Sequence, residues 1–197
     1  MVVDFEEHIK PYRQLLVIAF AGGPQNVFQF RNVLEDAPCS YILMRDSTQH
    51  YNHYGVAGIG DRSAVIEYIR GFKQQNYEIK TIGVSSGAYP ALLYGQLVPV
   101  SEIIVFSALT SRQADGFDPA DHHLIVDPAN PDVELLPFFK QGPIPRVQAF
   151  ISDGPDTRLD RQMIERIGIT PVVVPGFAHG ELARGMRDLV MLKELLS

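Results

Sequence analysis

Short apolar runs rich in β-branched residues alternate along the chain with stretches of helical periodicity. The first run, LLVIAFA at 15–21, is apolar at every position, which is typical of a strand buried on both faces of a sheet. Similar runs follow at 41–44, 79–85, 102–108, 146–152 and 170–175. Because strands and helices that alternate in this way form parallel sheets, the sequence predicts an α/β fold. We expect a three-layer sandwich in which helices flank a mostly parallel sheet of about six strands.

One stretch, 107–145, interrupts this alternation and carries six of the 14 prolines. A connection of this length without regular structure is uncommon inside a compact domain and is often functional. The length of 197 residues suits one domain with a single core. We therefore expect one domain over 1–197, in which 107–145 is a lid or a loop that sets substrate specificity. The alternative is a solvated insertion without a role.

Composition and charge exclude several classes of protein. The formal net charge is −6 and the basic residues are scattered, so no partnership with nucleic acid is expected. No apolar run is long enough to span a bilayer, and the N-terminal MVVDFEEHIK lacks the pattern of a signal peptide. These features favour a cytoplasmic protein without a membrane span. The only cysteine, Cys39, is interpreted as a small buried side chain rather than a reactive thiol.

The stretch GVSSG at 83–87 fits the pattern G-x-S-x-G, with Ser85 at its centre. A sharp turn from strand to helix strains the backbone of its apex residue, so the flanking positions must be small. A strand is predicted directly before this turn, and a helix is predicted directly after it. This context favours Ser85 as a nucleophile over an ordinary turn serine.

A nucleophilic serine needs a base, and the base needs a carboxylate that orients it. In an open parallel sheet such groups gather at the carboxyl ends of the strands. His179 follows the last predicted strand and precedes the last helix, so it is the expected base rather than a helix cap. Asp156, a short loop beyond the fifth strand, is the expected acid. Asp153 is the alternative, and either aspartate could instead belong to a turn.

The negative oxygen that forms on an attacked carbonyl needs two N–H donors. The residue after the nucleophile, Ser86, supplies one from its backbone. The other is expected from the loop after the first central strand, AGGP at 21–24. Gly22 is the preferred donor and Gly23 is the alternative. Pro24 is excluded because it has no N–H.

Together these stretches resemble a compact α/β-hydrolase over nearly the whole chain. GVSSG is similar to the nucleophile turn of that family, GPD at 154–156 to its acid loop, and PGFAH at 175–179 to its histidine loop. The order Ser85, Asp156, His179 is the chain order of nucleophile, acid and base in that family. The resemblance implies that Ser85 attacks an ester, thioester or amide carbonyl and that water then releases the acyl group.

The chain also departs from the family's pattern. Residues 1–13 are too few and too polar for the antiparallel hairpin that opens larger members. The turn continues as Ala88-Tyr89 where many members have another glycine, and Tyr89 is a candidate for shaping the acyl site. Asp46 and Tyr54 are further candidates for contact with the substrate, although Asp46 could instead anchor its own loop.

No cofactor and no metal are expected. His50 and His53 form H-x-x-H, and His122 and His123 are adjacent, but neither pair has a third well-placed ligand. The expected partner is a small acyl substrate that a serine hydrolase cleaves. A peptidase or an acyltransferase would use the same residues. The remaining alternative is a binding module that keeps the hydrolase fold without turnover.

Overall fold

The computed structural model describes residues 3–23, 27–48, 50–110, 134–154, 157–179, 181–188 and 194–196. The strands in these ranges are β1 (Phe5–His8), β2 (Leu15–Phe20), β3 (Ser40–Met44), β4 (Gly55–Val56), β5 (Gly60–Asp61), β6 (Glu78–Val84), β7 (Glu102–Phe106), β8 (Arg146–Ser152) and β9 (Val172–Val174). The helices are α1 (Arg31–Asp36), α2 (Arg62–Gln74), α3 (Ala88–Leu97), α4 (Leu136–Phe139), α5 (Thr157–Arg166) and α6 (Leu182–Asp188).

Seven strands form one sheet in the order β1-β3-β2-β6-β7-β8-β9, while β4 and β5 pair separately. All neighbours in the large sheet are parallel except β1, which runs antiparallel to β3. The predicted α/β fold with a mostly parallel sheet is confirmed. The six predicted strands correspond to β2, β3, β6, β7, β8 and β9.

The seventh strand, β1, comes in addition to the six predicted strands, the first of which begins at residue 15. Its sequence FEEH pairs Glu6 with Leu43 and Glu7 with Ile42. An edge strand has one neighbour only, so its residues stay partly exposed and tolerate charge. The chain therefore keeps one antiparallel strand at the edge of the sheet.

The strand β2 shows how the sheet separates two layers of helices. Leu16, Ile18 and Phe20 belong to the apolar cluster that contains buried side chains of α2, α3 and α5. Val17 and Ala19 belong to the other cluster, with side chains of α1 and α6. Because successive side chains of a strand point to opposite faces, this division confirms the three-layer arrangement.

The ends of two helices follow from their local sequences. The side chain of Asp61 caps α2 by accepting a hydrogen bond of 2.9 Å from Ala64 N. In α3, eight of the ten residues are buried, and Pro90 lies in the first turn, where its missing N–H is not needed. This buried helix fixes the turn before it at the carboxyl end of the central strand β6.

The described ends of the stretch 107–145 pack into the fold. Residues 107–110 are buried, as are Leu135 and Phe139 beside and within α4. Leu135 N donates to Thr110 O over 3.1 Å, so the two ends meet. Residues 111–133 lie outside the described residues, and the role expected for 107–145 stays a prediction.

Two further expectations concern single features. Cys39 is fully buried, as predicted, and burial raises the pKa of its thiol. Within the described ranges, no helix has the length and apolar character needed to cross a bilayer.

Candidate active site

Ser85 lies at the sharp turn between β6 and α3. Its φ of 51° is in the left-handed region, which residues other than glycine seldom adopt. A Cβ on Gly83 would overlap the carbonyl oxygen of Gly87, and a Cβ on Gly87 would overlap that of Phe20. The steric constraint that requires small residues on both sides of Ser85 is therefore present in the structure.

His179 and Asp160 extend a chain of hydrogen bonds from Ser85. His179, in the loop between β9 and α6, places Nε2 3.2 Å from Ser85 Oγ. Its Nδ1 lies 3.0 Å from each carboxylate oxygen of Asp160, in the first turn of α5. Since an ionised carboxylate only accepts, Nδ1 carries the proton and Nε2 is left to accept the Ser85 hydroxyl proton.

The surroundings of His179 can stabilise a positive charge on its imidazole ring. The Asp160 side chain is 1% exposed and that of His179 is 21% exposed. Asp160 also lies in the first turn of its helix, where the peptide dipoles favour a negative charge. In this site of limited solvent access, the carboxylate can orient the imidazole and stabilise an imidazolium.

The acid was expected at Asp156, or else at Asp153. The structure instead places the carboxylate of Asp160 on His179. Asp153 accepts from Gly176 N over 2.9 Å and so holds the loop after β9. Asp156 lies outside the described residues. The carboxylate seen on His179 thus comes from the helix after the loop, and the expectation of Asp156 stays a prediction.

A signal for Asp160 was present in the sequence. The apolar stripe that predicts α5 includes Met163, Ile164 and Ile167, which are all buried. Asp160 stands three, four and seven residues before them, so it belongs to the same buried stripe. A carboxylate on a buried stripe is costly without a partner, and this conflict identifies Asp160 as a candidate.

The loop after β2 packs directly against the Ser85 turn. A Cβ on Gly22 would overlap the carbonyl oxygen of Val84. Gly22 N donates to Gln29 Oε1 over 2.9 Å, and Gly23 N donates to Ser86 Oγ over 2.7 Å. The glycine is thus needed for close approach to the Ser85 turn. The Ser86 hydroxyl therefore helps to hold this loop against the Ser85 turn.

The three residues expected near the substrate differ in exposure. Asp46 is buried and accepts from Thr48 N, Thr48 Oγ1 and Asn52 N at 3.0, 2.6 and 3.2 Å, so it anchors its own loop. Tyr89 is fully buried. Tyr54, at 36% exposed, is the only one of the three that is open to solvent.

The buried His53 connects this loop to α3. Its Nδ1 lies 2.7 Å from Tyr89 OH, and Arg62 approaches its Nε2 at 2.6 Å and its carbonyl oxygen at 2.8 Å. Because arginine only donates, Nε2 must accept and Nδ1 must carry the proton. Both ring nitrogens are engaged in these contacts. Within the described ranges, no group of three or more His, Cys, Asp or Glu side chains could hold a metal ion.

Neither a family model nor a curated protein matches the chain. Solved structures match it over nearly its whole length. The capsule O-acetyltransferase of Neisseria meningitidis serogroup A is 13% identical, with a TM-score of 0.65 over 98% of this chain and 90% of that one. A lipase-esterase related protein from Clostridium acetobutylicum is also 13% identical, with a TM-score of 0.61 over 99% of both chains.

A thermophilic esterase from Thermogutta terrifontis is 16% identical, with a TM-score of 0.54 over 98% of this chain and 85% of that one. At these identities the likeness concerns the fold. The chain has the α/β-hydrolase fold, which ester-acting hydrolases and an acyltransferase share, and the resemblance drawn from the sequence is confirmed at that level.

Proposed function

We propose that the protein is a serine hydrolase that cleaves a carboxylic ester or thioester of a small substrate through an acyl-enzyme on Ser85. The observation that carries this proposal is the hydrogen-bonded chain from Ser85 Oγ through His179 to the buried Asp160. Nucleophile, base and orienting acid stand in the contacts that this chemistry needs.

In the proposed reaction, Ser85 Oγ attacks the carbonyl carbon while His179 Nε2 takes the hydroxyl proton. The imidazolium, held by Asp160, then gives that proton to the leaving alcohol or thiol as the bond to the acyl carbon breaks. His179 next takes a proton from water as the water attacks the acyl carbon, and it returns that proton to Ser85 Oγ as the bond between Oγ and the acyl carbon breaks and the acid leaves. Asp160 stays ionised throughout.

Two backbone donors are proposed for the negative oxygen of the intermediate. Ser86 N–H follows the nucleophile and starts the turn into α3. Gly22 N–H is the second donor, and the substrate oxygen must replace Gln29 Oε1 to reach it. In the protein without substrate, the side chain of Gln29 satisfies the Gly22 N–H, and it gives way when a substrate binds.

A second candidate function is transfer of the acyl group to a hydroxyl acceptor. The match to the capsule O-acetyltransferase, at a TM-score of 0.65, supports it as well as the esterase matches support hydrolysis. The same acyl-enzyme serves both reactions, since an acceptor hydroxyl can take the place of water. The experiment adds a polyol or a sugar in excess as the hydroxyl acceptor. Formation of the acylated acceptor then separates transfer from hydrolysis.

The test of an activated serine is intact mass after treatment with a fluorophosphonate. We expect a single adduct on the wild type and none on Ser85→Ala. Ser101→Ala is the matched control and should retain the adduct, because Ser101 stands before β7, at the opposite edge of the sheet from Ser85. A folded wild type without an adduct would overturn the proposal and favour a binding module.

A further inference from the structure

Residues 107–110 follow β7 and lie at the centre of the carboxyl edge of the sheet. Each is at most 1% exposed. They begin the stretch 107–145, which the sequence predicts to be a lid or a specificity loop. Their contacts instead lead to the three segments that carry Ser85, His179 and Asp160.

Ser107 holds the histidine loop. Its Oγ donates to the carbonyl oxygen of His179 over 3.2 Å, and its N–H donates to Phe150 O over 2.8 Å. The φ of Ser107 is 46°, a left-handed value that costs a residue with a side chain free energy. The backbone of Ser107 is thus fixed by β8 in a strained form that directs its hydroxyl to His179.

The next residues reach the other two segments. Leu109 N donates to the carbonyl oxygen of Ser85 over 3.4 Å. Thr110 Oγ1 donates to the carbonyl oxygen of Met163 over 2.6 Å. Met163 stands three residues after Asp160, on the same buried stripe of α5.

We propose that residues 107–110 form a positioning segment that keeps the side chains of Ser85, His179 and Asp160 at hydrogen-bonding distance from one another. Three of these four residues donate to backbone carbonyls of the segments that carry the reacting groups: Ser107 to that of His179, Leu109 to that of Ser85, and Thr110 to that of Met163 in the helix of Asp160. The three groups come from the ends of different strands and one helix, so their relative placement needs a common support. This inference rests on the proposed function and adds residues that touch no substrate.

The competing explanation is that Ser107 and Thr110 only satisfy buried carbonyl groups. That role alone would make the variants less stable without changing the reaction of the folded protein. Positioning makes a different prediction, because displacement of a reacting group by a fraction of an ångström slows the chemical step and leaves binding unchanged.

The experiment measures fluorophosphonate labelling over a range of reagent concentrations, which separates the limiting rate from the half-saturating concentration. Ser107→Ala removes one hydroxyl, and Thr110→Val replaces one by a methyl group of similar size. We expect each to lower the limiting rate about tenfold, with the half-saturating concentration unchanged. Thr110→Ser keeps the hydroxyl and should recover most of the wild-type rate.

Ser101→Ala is the matched control. Ser101 Oγ also donates to a backbone carbonyl, that of Ile79, over 2.8 Å, but it lies before β7 at the opposite edge of the sheet. It should label at the wild-type rate. Urea unfolding at the assay temperature shows that each variant is folded during labelling.

The outcomes separate this inference from the proposed function. If the wild type labels on Ser85 and the folded Ser107→Ala and Thr110→Val proteins label just as fast, the positioning role is wrong and the proposed function stands. If Thr110→Ser is as slow as Thr110→Val, the hydroxyl is not the cause and the inference also fails. A wild type that does not label contradicts the proposed function itself.

Discussion

Asp160 is the residue at which sequence reasoning and structure differ most. Its side chain is 1% exposed and lies 3.0 Å from Nδ1 of His179. The other ring nitrogen of His179, Nε2, lies 3.2 Å from Ser85 Oγ. Ser85 and His179 could be predicted because a short motif and a strand end mark them. Asp160 could not be predicted from those rules, since it stands in a helix and follows two aspartates that are closer to the strand.

The substitution Asp160→Asn tests this assignment. We expect a loss of at least about a thousandfold in the rate of fluorophosphonate labelling, because the amide cannot hold the histidine in the tautomer that accepts the Ser85 proton. Asp153→Asn is the matched control. It removes a carboxylate from the neighbouring loop but leaves an oxygen that can accept from Gly176 N.

The rates of these two variants are compared with that of Asp156→Asn. Equal rates for Asp160→Asn and the wild type would show that Asp160 does not serve the reaction. A selective loss in Asp156→Asn would return the role of the acid to the residue that the sequence favoured.

At the scale of the elements, the buried parallel strands were the most predictable part. Their residues face helices on both sides, so their sequences are continuous apolar runs. β1 was missed because an edge strand leaves polar residues such as Glu6 and Glu7 partly exposed, and its pattern resembles that of a loop. The stretch 107–145 was read as one insertion, although its first residues 107–110 belong to the core.

The described ends of this stretch allow a test of its central part. Thr110 O and Leu135 N are 3.1 Å apart, so a linker of about four residues can replace 111–133. We expect the shortened protein to keep its unfolding free energy within about 1 kcal/mol, since loop length affects closure entropy only weakly. Ser85 should still react with fluorophosphonate.

The same shortened protein tests the expected specificity role. Hydrolysis of p-nitrophenyl esters of increasing chain length should show a changed order of preference. An unchanged order would support the alternative of a solvated insertion without a role. Loss of labelling in a folded protein would contradict the view that residues outside 111–133 suffice for the reacting groups.

At the scale of the whole molecule, the raised pKa values of two tyrosines predict how the unfolding free energy depends on pH. Burial raises the pKa of Tyr94 above its ordinary value of 10.0, and burial with a hydrogen bond to Glu7 raises that of Tyr68. The unfolded chain therefore releases these protons at lower pH than the folded chain does. The stability that they contribute is complete below pH 10.0 and is lost as the pH rises toward the higher folded pKa values.

Urea unfolding between pH 8 and pH 11 should show a falling unfolding free energy, with a limiting slope of about 1.4 kcal/mol per pH unit for each such group. Tyr94→Phe should be less stable at pH 8, because Tyr94 OH donates to Asn52 O over 2.7 Å, but its slope should be flatter. Tyr12→Phe changes a fully exposed tyrosine and is the control. Equal slopes in Tyr94→Phe and the wild type would contradict the prediction.

The most direct test of the account is to trap the acyl-enzyme. The protein is mixed with p-nitrophenyl acetate, quenched in acid within milliseconds to seconds, and digested for peptide mass spectrometry. The account predicts an acetyl group on Ser85 of the wild type, at a level that falls as substrate is exhausted, and none on that peptide in Ser85→Ala. Turnover of the ester without acetyl on Ser85, or acetyl on another residue that is retained in Ser85→Ala, would contradict it.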